Sequence, residues 1–482
     1  MDYLRDAFSL VRALGRASLI GLILLGTTAT QAQDLPVVTG KLLASSEDIE
    51  HCSTMVAPPA GGAPRLILQS GHEIRVIELA DAPQVLAEAV LPSRSYVWDT
   101  ADLEDGPALL VMSKEGLLGR HLLAKDASWQ TLAAADGLFR GRLTSAPLRH
   151  RLARSHGALG LDIVRPTETA LGVTRWSKEG ASQLALHPTT VRSDQNLGWG
   201  LGYTMTSRLS VPYFEFAQRG LLFRRDTDLM LADLDQGGEP ALWGRVPRDR
   251  DNKIFKFKIW VSDMISDWDG DGASDLLYCD PGDGLVLCYR GKGRPGAEKP
   301  GPDQAIRISG YVLWRWLIDV DGDGRKDLLI LRIPSLNLLG QLQVVTQGKL
   351  PTTLEVRRQK EDGSFEESVT WSEAMAMPVE VSLTRSQRRI RYRAPLTPFL
   401  SGKELWLVGP EDAGGVSVRR RGAGGFETVC TLRGVGRKDE ICEAPFETAV
   451  AIDAQGVARD LIIRRHSSTT GLTSVESFRL PR

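Results

Sequence analysis

The chain has 482 residues, 42% of them hydrophobic and 25% charged, enough apolar material for one large core or two ordinary ones. Its 59 Lys and Arg stand against 60 Asp and Glu, giving a net charge of −1. That balance provides no field to attract nucleic acid or an anionic membrane surface.

The first segment reads as a leader. Arg5, Arg12 and Arg16 precede the apolar run ASLIGLILLGTTA (17–29), and TQA (30–32) follows with small residues. A basic start, a short apolar stretch and a small-x-small ending describe a secretory signal, so residues 1–32 are expected to be removed. The run of 13 residues is shorter than a bilayer span requires. No later run is long enough for a transmembrane helix, and the mature chain (33–482) is expected in a secreted or periplasmic location.

Beyond the leader, short runs with β character recur: RLILQ, ALLVM, IFKFKIWV, DLLYC, DLLILRI, ELWLVG, DLIIRR. Gly, Pro, Asp and Asn clusters separate them, the signature of an all-β sandwich, barrel or propeller. Five segments share an apolar lead-in, an acidic Gly-bearing turn and a strand: 101–111, 232–243, 266–278, 318–330 and 452–463. Two weaker copies, GGAPRLILQ (61–69) and SGKELWLVG (401–409), keep the turn without the acids. The clearest loops, starting at Asp267 and Asp319, are 52 residues apart. A four-stranded unit at that spacing predicts a β-propeller, whose blades cover one another's faces. Seven blades are expected, with six or eight allowed, and an enlarged outer hairpin around 350–395.

The strongest chemical signal is D-x-D-x-D-G-x-x-D, present twice. One copy carries Asp267, Asp269, Asp271 and Asp275; the other carries Asp319, Asp321, Asp323 and Asp327. The backbone carbonyls of Ala273 and Arg325, at position 7, are expected as further ligands. Ca²⁺ takes six to eight oxygens at about 2.3–2.6 Å, and such loops supply them. Four carboxylates in one small turn repel by about 1 kcal/mol per close pair even in water, which argues for a counter-charge. Position 12 is Tyr278 or Ile330 instead of the Glu of an EF-hand, and strands flank the loops.

The DxDGDGxxDLL loops between strands resemble the calcium-binding hairpin of FG-GAP/VCBS repeats, found in the integrin α-subunit propeller and in many secreted bacterial proteins. The resemblance implies two Ca²⁺ sites on the residues just named, stiffening blade hairpins. It also implies a rigid binding or scaffolding surface for a protein or glycan partner. The copies at Asp102, Asp233 and Asp453 keep only part of the acidic set and are expected to have lost the ion, and the family's Phe-Gly…Gly-Ala-Pro element is nearly absent. The alternative reading is a polysaccharide-degrading lyase or hydrolase built on a propeller, although no catalytic residue stands out.

Other features have two readings each. Cys430–Cys442 is expected as a disulfide and Cys279–Cys288 could form across a two-residue turn at Asp283-Gly284, with Cys52 left over; buried thiols are the alternative. RRIRYR (388–393) and VRRR (418–421) are either a patch for an acidic partner or edge strands guarded by arginine. Trp199 is either a packing residue or a sugar platform.

Overall fold

A computed structural model describes residues 36–481, except 47–48, 56–62, 93–94, 104–105, 125–126, 136–152, 156–159, 168–169, 189–191, 197–205, 211–213, 218–219, 226, 235–238, 248–252, 255–256, 259–263, 281–283, 293–299, 384–387, 412–414, 423–424, 436–439, 442–447, 454, 468 and 471. The expected leader, Cys442 and Trp199 lie outside the described residues.

The chain is an all-β propeller of eight antiparallel blades. In chain order their second strands are Arg65–Ser70, Gly106–Ser113, Leu161–Pro166, Gly220–Arg225, Asp275–Asp280, Asp327–Ile333, Glu404–Pro410 and Ala458–Ser467. Each pairs with the strand before it and the strand after it. Two small hairpins, Arg192–Asn196 with Thr206–Ser210 and Lys253–Ile254 with Phe257–Lys258, stand apart from these sheets. Among the described residues, no helix is long and apolar enough to cross a membrane.

These strands read as unbroken apolar runs because both faces of each blade are covered. In Asp275–Asp280 of blade 5, Leu276 packs with Leu222, Leu229 and Trp243 of blade 4. Its neighbour Leu277 points the other way, onto Val312, Leu328 and Ile330 of blade 6. The alternation repeats one blade on, where Leu329 and Leu331 join Leu405 and Leu407 of blade 7. Side chains alternate along a strand, so a sheet buried on two faces needs apolar residues at consecutive positions.

The ring closes through the N-terminal segment. Lys41–Ser46 pairs antiparallel with Thr473–Arg479 and completes blade 8. Val37–Thr39 runs parallel to Gly425–Arg433 and adds a fifth strand to blade 7. Blade 8 then packs on blade 1, with Ile462 and Val475 against Leu66 and Leu68. Blade 6 also has five strands, the fourth being Trp371–Leu383 and the fifth Arg388–Tyr392.

The count of eight, within the allowed range, corrects the expected seven for two reasons. Blade 3 carries no acidic repeat to mark it. The acidic segment at 232–243 falls between the third and fourth strands of blade 4, whereas the loops at 267, 319 and 453 join first strands to second. It is therefore out of frame with the others.

The cysteine expectations are also corrected. Cys279 lies opposite Val286, and Cys288 opposite Leu277, so the hairpin turn is wider than two residues and the sulfurs are not bonded. Cys430 is a buried thiol opposite Val418 in blade 7. The strand Glu440–Ile441, just before Cys442, pairs in blade 8.

Two-sided burial makes a direct prediction. Leu328→Ala and Leu329→Ala remove neighbouring side chains on opposite faces, and both leucines have 0% exposure. Each is expected to destabilise by about 2–5 kcal/mol in denaturant unfolding. A sheet with one wet face would lose stability at only one of the two positions.

Candidate metal centre

The loops of blades 5 and 6 are built alike. Both leave the first strand of the blade, at Ser266 and Ile318, and return as the second strand at Asp275 and Asp327. The first aspartate ties the turn together: Asp267 accepts from the N–H groups of Gly270 (2.8 Å) and Gly272 (3.1 Å). Asp319 does the same for Gly322 (2.7 Å) and Gly324 (2.9 Å). All four glycines have φ between 73° and 87°, the left-handed region that glycine enters without steric penalty. Positions 4 and 6 of each loop are thus both left-handed glycines.

The ninth aspartate is the buried anchor. Asp275 is 0% exposed and accepts from the N–H of Trp268 (2.9 Å) and of Gly291 (2.8 Å). Asp327 is 1% exposed and accepts from Val320 (3.1 Å) and Gln359 (2.9 Å). In each loop one donor is the residue at position 2, and the other follows the third strand of the same blade.

Burial raises the carboxyl of Asp275 to about 7, with its two N–H donors opposing the shift and the charges of Asp269 and Asp271 reinforcing it. Burial also raises Asp327 and Asp269. Asp323 moves the other way, held down first by the Arg325 N–H and then by the Arg325 guanidinium.

Oxygens of Asp267, Asp269 and Asp275 lie within 4.8 Å of one another, as do those of Asp319, Asp321 and Asp327. Oxygens bound to one Ca²⁺ at about 2.3–2.6 Å are at most about 5 Å apart, so both trios fit a hard cation. Asp271 and Asp323 stay outside the trios. Asp271 accepts from the N–H of Ala273 (2.8 Å), and Asp323 accepts from the N–H of Arg325 (2.8 Å) and pairs with its guanidinium at 2.5 Å. In blade 6, Arg358 sits 3.1 Å from Asp321.

A hairpin tip between the third and fourth strands of blade 6 lies against both loops. Gln359 and Phe365 form a β-bridge, and Lys360 and Gly363 close the turn inside it. Phe365 is fully buried against Trp268 of the blade 5 loop, ring centres 5.7 Å apart. The Trp268 indole N–H donates to Gly363 O at 3.1 Å, and the Gln359 side-chain amide donates to Trp268 O at 3.0 Å. The sequence marks this tip only as a Gly-x-Phe turn, because its partners are some 91 to 95 residues away.

The degenerate copies meet other fates. Asp102 lies within the strand ladder, opposite Pro107, with pairing running on to Leu103 and Gly106. Asp453 caps its own turn by accepting from Gln455 and Val457. The buried Asp460 accepts from Arg479 at 2.7 Å, so a guanidinium supplies its counter-charge. Of the basic segments, Arg419 pairs with Glu373, Arg420 with Glu404, and Arg421 donates to Val320 O in the blade 6 loop.

The raised carboxyls set a pH test. A folded-state pKa above the unfolded value near 4 gives stability that is full below that value and is lost as pH rises toward about 7. In chelator, the melting temperature is therefore expected to fall between pH 5 and pH 8. Calcium binds the carboxylate form, so its stabilising shift should be larger at pH 8 than at pH 5. A shift equal at both pH values would contradict this picture of Asp275.

The FG-GAP-like repeat family matches residues 267–330, from the first aspartate of the blade 5 loop to beyond the last of the blade 6 loop. No curated protein matches the chain. Among solved structures, Sqt1 of Saccharomyces cerevisiae is similar over 93% of this chain and 99% of its own, at 10% identity and a TM-score of 0.44. The N-terminal domain of Nup159 is similar over 92% and 98%, at 11% identity and a TM-score of 0.34. Residues 267–330 thus match the FG-GAP-like repeat family and lie within an eight-bladed β-propeller.

Proposed function

We propose that this chain is a secreted or periplasmic, calcium-stabilised propeller that serves as a binding or scaffolding module for a protein or glycan partner. The observation that carries the reading is the pair of carboxylate trios on adjacent blades, each gathered around a buried aspartate. Asp267, Asp269 and Asp275 would hold one Ca²⁺, and Asp319, Asp321 and Asp327 the other. The carbonyls of Ala273 and Arg325 and the carboxylates of Asp271 and Asp323 would complete the shells with water. Bound, the ion supplies positive charge where three carboxylates converge.

The support is chemical and architectural. All-oxygen donor sets select hard cations over the softer metals that prefer sulfur or imidazole. In each of two adjacent blades the loop joins the first strand to the second, which suits holding a surface in shape. An FG-GAP-like repeat on a propeller is compatible with binding, though fold alone does not assign a partner.

Calcium is expected to raise the melting temperature of the wild type and chelator to lower it. At a hundredfold excess over Kd, each site contributes about 2.7 kcal/mol. In Asp269→Ala/Asp321→Ala, that response should be lost. For partner binding, a crosslinked pull-down from the source envelope, with Ca²⁺ or chelator, should recover a partner only with Ca²⁺ and only on the wild-type chain. Equal recovery in chelator, or by the double variant, would remove calcium from the binding reading.

A further inference from the structure

The two cation sites share one piece of structure. Gln359, only 4% exposed, uses its backbone N–H to orient Asp327, the buried ligand of the blade 6 loop. Its side-chain amide holds Trp268 O, and the N–H of Trp268 orients Asp275, the buried ligand of the blade 5 loop. One continuous path therefore runs Asp275, Trp268, Gln359, Asp327. Neighbouring contacts reinforce it. Gly363, at φ 79°, lies so close to Asp269 that a Cβ there would sit 2.7 Å from the aspartate's Cβ. Arg358, beside Gln359, holds Asp321, and Lys326 of the blade 6 loop reaches Asp267 O and Ser266 Oγ at 3.2 Å.

We propose that the hairpin tip 358–366 couples the two cation sites, with Gln359 as the link, so that filling one site tightens the other. The inference rests on the calcium reading above. To bind an ion, each buried carboxylate must keep its orientation while the other ligands close around it. In the blade 6 loop that orientation depends on the position of the Gln359 backbone. In the blade 5 loop it depends on the Trp268 peptide, which the Gln359 side chain holds. Ordering either loop fixes one end of the same short, buried segment and lowers the ordering cost at the other end. Coupling of this kind is reciprocal, and its proof is energetic rather than spatial.

The test is a thermodynamic cycle on the full chain, with calcium as the only probe. Hydrogen exchange of peptides spanning 267–275 and 319–327 reads each loop's calcium midpoint separately. Asp269→Asn cripples the blade 5 site without touching a blade 6 ligand. It is expected to move the 319–327 midpoint to calcium about fivefold higher or more, the low end of typical coupling. In a Gln359→Met background, which keeps bulk and the backbone N–H but removes the side-chain donor, Asp269→Asn should move that midpoint by less than twofold. A merely structural role for Gln359 would weaken both loops and leave the effect of Asp269→Asn intact, which would overturn the assignment to Gln359. An unmoved 319–327 midpoint in Asp269→Asn alone, with calcium still protecting that loop, would overturn the coupling and leave the calcium reading standing. Calcium protecting neither loop of the wild type would overturn both.

Discussion

Everything in this molecule follows from sheets that cannot be left bare on either face. Leu276 and Leu277 are adjacent in sequence and buried against different blades. A four-stranded sheet with two apolar faces needs a neighbour on each side, and a row of such sheets ends only by closing on itself. The closing contact sets Ile462 and Val475 of blade 8 against Leu66 and Leu68 of blade 1, with Lys41–Ser46 supplying the outer strand. Radial repetition leaves each blade only short edges at its first and last strands, which limits the edge pairing that leads to aggregation. The acidic turns contribute Trp268 and Val320 to the packing between blades and turn their aspartates away from it.

Blades 5 and 6 gather those aspartates at an electrostatic cost. Asp275 and Asp327 are almost fully excluded from solvent, and each stands within 4.8 Å of two further carboxylates. Two N–H donors to each buried carboxylate orient it but supply only partial charge. Blade 8 solves the same problem internally. There the buried Asp460 receives Arg479, while the loop aspartate Asp453 turns back on its own backbone. The contrast is sharpest in the blade 5 loop, whose carboxylate trio could hold a metal ion. Asp275 has Trp268 and Gly291 as its hydrogen-bond donors, both through backbone amides, where Asp460 has a guanidinium.

The local chemistry of the site was legible in the sequence, because every carboxylate in each trio lies within nine consecutive residues. The β class was legible for the same reason: apolar runs and turn residues are local signals. What escaped was register and distance. A two-residue turn at Asp283-Gly284 would place Cys279 opposite Cys288, yet the ladder pairs Cys279 with Val286. Blade 3 has no acidic loop, and the acidic segment after Asp233 sits between the wrong strands, so counting loops miscounted blades. Gln359 could not have been singled out. Nothing near it in sequence marks a residue that bonds to Trp268, 91 positions earlier and one blade away.

The most direct measurement is anomalous diffraction from crystals grown in calcium, or in a lanthanide that takes the same oxygen ligands. Two peaks are expected, one among Asp267, Asp269 and Asp275 and one among Asp319, Asp321 and Asp327. Peaks absent from both trios at saturating ion, or found only elsewhere on the propeller, would contradict the claim that these loops are cation sites.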